Sequence, residues 1–138
     1  MNWLYWSLLS ALFAAATAIL AKVGVKGVDS NLALAVRTSV ILIFTWAIAL
    51  ARGATGVAAL SRTNWLFLFL SGIATGLSWL CYFRALQLGE ASKVAPIDKL
   101  SVVLVIVFSV IFLREQLTTG KAIGGALIAI GAILIARD

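Results

Sequence analysis

Five long apolar segments run along the chain, and short polar breaks separate them. The segments cover residues 3–21, 31–51, 64–84, 94–113 and 119–136. Each holds about 20 residues, which is enough for a helix to cross a hydrocarbon core of roughly 30 Å. The pattern therefore predicts an all-α fold, a polytopic bundle of five transmembrane helices that forms a single membrane domain over residues 1–138.

The composition agrees with a chain that lives in a bilayer. Of its 138 residues, 63% are hydrophobic and 12% are charged, whereas soluble domains contain roughly 45–50% apolar and about 25% charged residues. The mean hydropathy is +1.11. The net charge of +6 suits basic residues that meet anionic lipid headgroups. We therefore expect membrane lipids, and no nucleic acid, among the partners.

The fourth segment raises a question about its start, "KVAPIDKLSVVLVIVF". The part without charged residues, 100–113, would give only about 21 Å of helix, which is too short to cross the bilayer. The helix should therefore begin near Ala91 or Val94. That start places Pro96 in the first turns, where its missing N–H costs little, and it carries Asp98 and Lys99 below the headgroups.

Charged groups at membrane depth need an explanation, because each costs about 2.5–3.5 kcal/mol on insertion scales. Arg37 lies inside the second segment in the same way. In one interpretation, Arg37 and Lys99 snorkel to the interface and the helix dipole favours Asp98. In the other, these groups line a polar pathway, with Asp98 balanced by Lys99, Arg37 or Lys93.

Aromatic residues gather near the ends of the predicted spans. One set, typical of an interfacial belt, consists of Trp3, Tyr5, Trp6, Trp46 and Trp65. Trp79 and Tyr82 lie toward the opposite end of the third segment. They are either belt residues or the aromatic wall of a binding cavity.

Basic residues divide almost evenly between the two predicted membrane sides. The side of the N-terminus has Arg52, Arg62, Arg114 and Lys121, and the other has Lys22, Lys26, Arg84, Lys93 and Arg137. Orientation normally follows a clear excess of Lys and Arg on one side. A near-even split permits insertion in both directions, so we expect that two copies could form an inverted pair.

Small residues recur along the fifth segment and predict close helix packing. The packing candidates are Gly120, Gly124, Gly125, Ala129, Gly131 and Ala132. They could pack against the chain's own helices or against a second copy, and the sequence leaves both options open.

The sequence gives little support for catalytic activity. The chain has no histidine, and its one cysteine, Cys81, lies in an apolar segment, which suggests a small core residue. Neither a nucleophile–base pair nor a metal-ligand set is present in the pattern. We therefore expect a protein that is not an enzyme and that carries no metal or cofactor.

Several linked segments resemble a known family. "WLCYFRALQLGEASKVAPI" is similar to the third-to-fourth helix junction of EamA domains, which belong to the drug/metabolite transporter superfamily. "LSVVLVIVFSVIFLREQLT" followed by "GGALIAIGAILIA" is similar to the closing pattern of these domains, and "NLALAVRTSVILIF" also fits. The resemblance covers nearly all of the chain.

The resemblance implies a five-helix repeat. Most members carry two such repeats in inverted topology and export metabolites by alternating access around a central cavity. A single repeat implies a half-size exporter of small metabolites or drug-like compounds in a bacterial inner membrane, completed as a homodimer that could be antiparallel. The residues that we expect nearest the substrate are Arg37, Trp79, Tyr82, Asp98, Lys99 and Ser101.

The chain also departs from its relatives. The Glu-Pro pair of many EamA domains would fall at Ser101 and Val102, and the first segment lacks the glutamate with which small multidrug resistance proteins exchange protons for cations. A simple cation antiporter is therefore disfavoured, and Asp98 becomes the candidate for any proton coupling. The excess of intramembrane Lys and Arg leans toward anionic or zwitterionic substrates.

The alternative function is a non-transporting membrane subunit, or half of a heteromeric lipid or metabolite carrier. A non-transporting subunit would tolerate neutral substitutions at Arg37, Asp98 and Lys99. A transporter cavity built from those residues would not.

Overall fold

The computed structural model describes residues 2–54 and 56–137. Within these ranges the chain forms six α-helices and a short 3₁₀ turn at Val57–Ala59, and it has no strand. The helices are α1 (Trp3–Gly24), α2 (Ser30–Ala51), α3 (Arg62–Leu88), α4 (Ala91–Asp98), α5 (Leu100–Phe112) and α6 (Thr119–Arg137). With α4 and α5 taken as one span, five helices are long and apolar enough to cross a membrane. The all-α, five-span prediction is confirmed.

Short-range hydrogen bonds define where α2 begins. Gly27 has a φ of +70°, a left-handed conformation that glycine adopts without strain, and it turns the chain after α1. The Asp29 side chain then accepts hydrogen bonds from the backbone N–H groups of Asn31 (2.9 Å) and Leu32 (3.1 Å). These are helix N–H groups without intrahelical partners, so Asp29 acts as the N-cap.

The fourth span is divided into two helices at Lys99, beside the charged pair Asp98–Lys99 that interrupts its apolar pattern. The Lys99 N–H is shared between the carbonyls of Ala95 (3.3 Å) and Pro96 (3.1 Å), and the N–H of Val102 bonds to the Lys99 carbonyl at 3.0 Å. The i→i−3 bonds are those of a tighter, 3₁₀-like turn. The span therefore changes its hydrogen-bond pattern where Asp98 and Lys99 lie.

The fourth span starts at Ala91, one of the two predicted starts, but Pro96 lies in the second turn and not in the first. Because α4 begins at Ala91, Pro96 is not in the first turn, where its missing N–H would cost little. Pro96 is the sixth residue of α4, so its absent N–H leaves the Ser92 carbonyl without its i+4 donor. Neighbouring helices and local adjustments make such prolines tolerable in membrane helices.

The chain divides into two compact units. One, called here the terminal unit, comprises residues 2–20 and 88–137; the other, the central unit, comprises residues 21–54 and 56–87. In the terminal unit, α6 packs along both α4 and α5. A β-carbon built on Gly125 would lie 3.3 Å from Ile106 Cδ1, so the missing side chain of Gly125 lets α5 and α6 approach closely.

In the central unit, hydrogen bonds join the α1–α2 connection to the last turn of α3. The Lys22 ammonium donates to the Leu86 carbonyl, and Gln87 Nε2 donates to the Val28 carbonyl at 2.6 Å. The carbonyls in the last turn of a helix lack intrahelical donors, so Lys22 satisfies one of them. These bonds place the start of α2 level with the end of α3.

Most large apolar side chains are exposed. Trp3 is 75% and Phe112 is 76% exposed, whereas only a few residues, such as Phe83 and Leu86, are fully buried. An apolar surface of this extent matches lipid tails rather than water. Together with the five long apolar helices, it identifies an integral membrane protein.

Candidate functional site

A positive charge lies against aromatic rings inside the central unit. The guanidinium carbon of Arg37, on α2, is 4.3 Å from the centroid of the Trp79 ring and 5.4 Å from that of Phe83, both on α3. Both distances fall within the roughly 6 Å range of cation–π attraction. We refer to Arg37, Trp79 and Phe83 as the Arg37 cluster.

Helical spacing explains why these side chains meet. Residues three or four positions apart share one face of a helix. Leu34 and Arg37 therefore lie on one face of α2, while Trp79, Phe83 and Leu86 lie on one face of α3. Leu34, Phe83 and Leu86 are buried, and Arg37 and Trp79 are half-buried. An arginine thus occupies a position in the packed seam that an apolar residue would normally fill.

The guanidinium lies nearer to the deeper of the two rings that it contacts. Arg37 lies about 10 Å along α2 from Ser30, and α3 carries Phe83 and Trp79 about 7 Å and 13 Å from its end at Leu88. The guanidinium is nearer to Trp79, the deeper ring. A snorkelling side chain would approach the shallower ring, so the geometry favours a charge held at depth.

The charge has no acidic partner in its unit. Asp29 is the only acidic residue between positions 21 and 87, and its carboxylate caps α2. The ion pairs among the described residues are Lys99–Asp98 and Lys121–Glu115. Within the central unit, the charge is therefore compensated by contact with the rings, which contributes about 2 kcal/mol when desolvated, and by an electrostatic interaction with Tyr82.

The remaining predicted cavity residues lie in different parts of the fold. Tyr82 is half-buried on α3 in the central unit, close enough to Arg37 for an electrostatic interaction. Asp98, Lys99 and Ser101 lie at the division between α4 and α5 in the terminal unit. The structure thus brings Arg37 and Trp79 into contact, and the prediction that all six residues line one cavity stays a prediction.

Asp98 forms an ion pair with its neighbour. Lys99 Nζ lies 3.2 Å from Asp98 Oδ2, and the side chains of Lys99 and Asp98 are 57% and 34% exposed. Of the three cations considered for Asp98, Lys99 is therefore the one in contact. Lys99 lies at the turn between the two helices, which lets side chains of adjacent residues meet although they would point about 100° apart on a regular helix.

The small residues of α6 divide into two groups. Gly125 and Ala132 are buried, and Gly125 faces Ile106, so these positions serve packing within the chain. Gly124 and Gly131 are half-buried, and a β-carbon at either would meet no atom within 4 Å. Ala129 is half-buried and Gly120 is exposed. A role in dimer formation stays a prediction for the open positions.

Sequence reasoning missed Phe83 and misjudged Cys81. Phe83 lies four residues after Trp79, and this i, i+4 aromatic spacing was a signal that both rings face one partner. Cys81 is exposed, so its prediction as a core residue is wrong. It lies two positions after Trp79, which turns it away from the face that packs on Arg37.

Comparisons with known proteins agree with the resemblance noted in the sequence. The EamA-like transporter family matches residues 1–137. An uncharacterized transporter from the cobO 3′ region of Sinorhizobium sp is 52% identical over 136 residues, covering 98% of this chain and 96% of the relative. An uncharacterized protein of Methanocaldococcus jannaschii is 33% identical over 69 residues, half of each chain. No solved structure gives a significant match. The chain therefore belongs to the EamA-like transporter family, as an integral membrane protein with five helices long enough to span the bilayer.

Proposed function

We propose that this membrane transporter is a half-size exporter of small metabolites or drug-like compounds that works as a homodimer by alternating access. The family match over residues 1–137 and the Sinorhizobium relative described as a transporter support the transport function. Because that relative is bacterial, we place the protein in a bacterial cytoplasmic membrane.

The position of Arg37 within the second span is the observation that carries the proposal. A scaffold subunit has no use for a guanidinium inside its second span, which costs about 2.5–3.5 kcal/mol on insertion scales. Intramembrane charges are usually retained where they contact a solute or an ion. Contact with Trp79 and Phe83 keeps the charge at that depth, which suits a group that meets substrate.

A second, oppositely inserted copy would complete the transporter. The resemblance noted in the sequence implies that most family members carry two repeats in inverted topology, and the near-even distribution of Lys and Arg between the predicted sides permits both insertions. On α6, Gly124 and Gly131 have open space in front of them. This surface would let a second helix approach closely.

The transport function is tested by profiling the medium of cells that express the protein. We expect at least one small compound to accumulate outside the cells several-fold above an empty-vector control. Arg37→Gln should abolish this accumulation, while Arg62→Gln, at the start of α3, should leave it unchanged. Identical profiles for the protein, Arg37→Gln and the empty vector would instead favour a non-transporting subunit.

The inverted dimer is tested separately with reporters fused to the C-terminus. One reporter is active only in the periplasm and the other only in the cytoplasm, and both are read in intact cells. We expect activity from both fusions. Activity from a single fusion would mean one fixed orientation, and the transporter would then need a parallel assembly or a different partner chain.

A further inference from the structure

We propose that the Arg37 cluster binds the carboxylate of a monoanionic substrate whose body is apolar. This assignment of a substrate class rests on the proposed transport function. It follows from three properties of the cluster: hydrogen-bond donors that remain accessible, a single positive charge, and an apolar surrounding.

The first property is the set of open donors on Arg37. A guanidinium carries five N–H donors in a planar fork, and aromatic rings balance its charge without supplying oxygen acceptors. Arg37 donates no hydrogen bond to any described residue. No described side chain leaves a buried nitrogen or oxygen without a partner, so the Arg37 nitrogens are accessible. An oxyanion with two oxygens matches this fork in bidentate geometry.

The second property is the size of the charge. Arg37 is the one charged residue between Asn31 and Ala51, and α3 has no charged residue between Arg62 and Arg84. A single guanidinium neutralises a monoanion. A dianion would leave one negative charge uncompensated at membrane depth, where an isolated charge is costly. The cluster therefore favours a carboxylate over a doubly ionised phosphate.

The third property is the surrounding of the guanidinium. The rings of Trp79 and Phe83 lie within 5.4 Å, and Leu34 and Ile41 flank Arg37 on the same face of α2. Trp79 is only half-buried, so part of its surface remains available to a ligand. Apart from the indole N–H of Trp79 and the nearby Tyr82, these neighbours offer carbon surface, which suits an aliphatic or aromatic body next to the carboxylate.

Equilibrium binding of radiolabelled benzoate to the purified protein in a neutral detergent tests the assignment. We expect saturable binding that benzamide, the neutral analogue of the same shape, does not displace. Phenyl phosphate at pH 8, a dianion, should compete at least ten-fold less well than unlabelled benzoate. No saturable binding, or displacement by benzamide at the same concentration as benzoate, would overturn the assignment.

Variants connect the binding to Arg37. Arg37→Gln should weaken benzoate binding at least ten-fold. Arg37→Lys, which keeps the charge and loses the planar fork, should weaken it to an intermediate degree. Arg62→Gln should bind like the unmodified chain. Equal binding by Arg37→Gln would overturn the assignment; the Lys variant serves as the test if the Gln variant does not elute as a folded, monodisperse protein.

A lipid headgroup is the other source of an oxyanion. Binding is therefore repeated in nanodiscs made of phosphatidylcholine alone and of phosphatidylcholine with phosphatidylglycerol. We expect the same benzoate affinity in both. A loss of Arg37-dependent binding in the phosphatidylglycerol discs would assign the cluster to an anionic lipid and overturn a substrate site.

The binding and export measurements test the carboxylate site and the transport function separately. Export of other compounds without benzoate binding would leave the transport function standing and remove the carboxylate assignment. Arg37-dependent benzoate binding without any export would keep the site and remove the transport function.

Discussion

Ile106 on α5 occupies the space that a side chain at Gly125 on α6 would need, because a β-carbon there would lie 3.3 Å from Ile106 Cδ1. In a bilayer, helices gain little from hiding apolar surface, since lipid tails are equally apolar. Close approach and the dispersion contacts that it allows are what hold such helices together. The Ile106–Gly125 contact is therefore a sensitive point of the terminal unit.

Gly125→Leu should destabilise the protein by about 1–3 kcal/mol, because the larger side chain cannot fit without moving α5 or α6. Thermal unfolding in detergent measures the loss. Ala126→Leu is the matched control on the same helix, since Ala126 is exposed and is not one of the predicted packing positions. Equal unfolding temperatures for the two variants would contradict the packing described for α6.

The Arg37–Trp79 contact should appear as an energetic coupling. A double-mutant cycle with Arg37→Met and Trp79→Leu should give a coupling of about 1–2 kcal/mol, because each single change removes the same cation–π contact. Chemical unfolding in detergent supplies the four free energies. Trp65→Leu in place of Trp79→Leu should be additive with Arg37→Met, since Trp65 lies more than three turns away on α3.

The helices themselves could be predicted, because length and apolarity suffice to define a span. The division at Lys99 could not, since Asp98 and Lys99 mark a charged point in the span but do not show whether the helix continues through it. Where Pro96 falls within its helix depends on the exact start at Ala91, and a shift of three residues changes whether its missing N–H matters. Boundaries of this kind depend on local turns rather than on hydrophobicity.

The site could be predicted only as separate residues. Arg37 and Asp98 stand out because charged groups inside spans are costly, and Trp79 stands out because it lies toward one end of its span. Which ring the guanidinium contacts depends on which faces of α2 and α3 pack together. In a protein whose outer surface is also apolar, the hydrophobic pattern does not distinguish packed faces from faces that meet lipid. The same reason explains Cys81: an apolar position in a membrane helix faces lipid as readily as a core.

Pro96→Ala should restore the hydrogen bond to the Ser92 carbonyl and add about 1 kcal/mol of stability. Hydrogen–deuterium exchange of the backbone amides of residues 97–100 should slow. Ile97→Ala is the control, because its side chain is exposed and the substitution leaves the backbone donors unchanged. Unaltered exchange in Pro96→Ala would show that proline does not cause the division of the fourth span.

Asp98→Asn should abolish any dependence of export on a pH gradient. Among the described residues, Asp98 is the only carboxylate within a membrane-spanning helix. It is therefore the only carboxylate among them that could bind and release a proton inside the membrane. Transport of an exported compound into proteoliposomes, with and without a pH gradient, provides the measurement. Glu115→Gln, outside the spans and paired with Lys121, should keep the dependence. Unchanged coupling in Asp98→Asn would remove this residue from the mechanism.

The packing of α6 against both halves of the fourth span has a mechanical consequence. Any bend at Lys99 tilts α4 relative to α5, and α6, which is one uninterrupted helix, cannot follow both. One of the two contacts must slide. The buried positions of α6 include Gly125 and Ala132, which carry little or no side chain to interlock with the neighbouring helices. Half of the fourth span can therefore slide along the surface of α6.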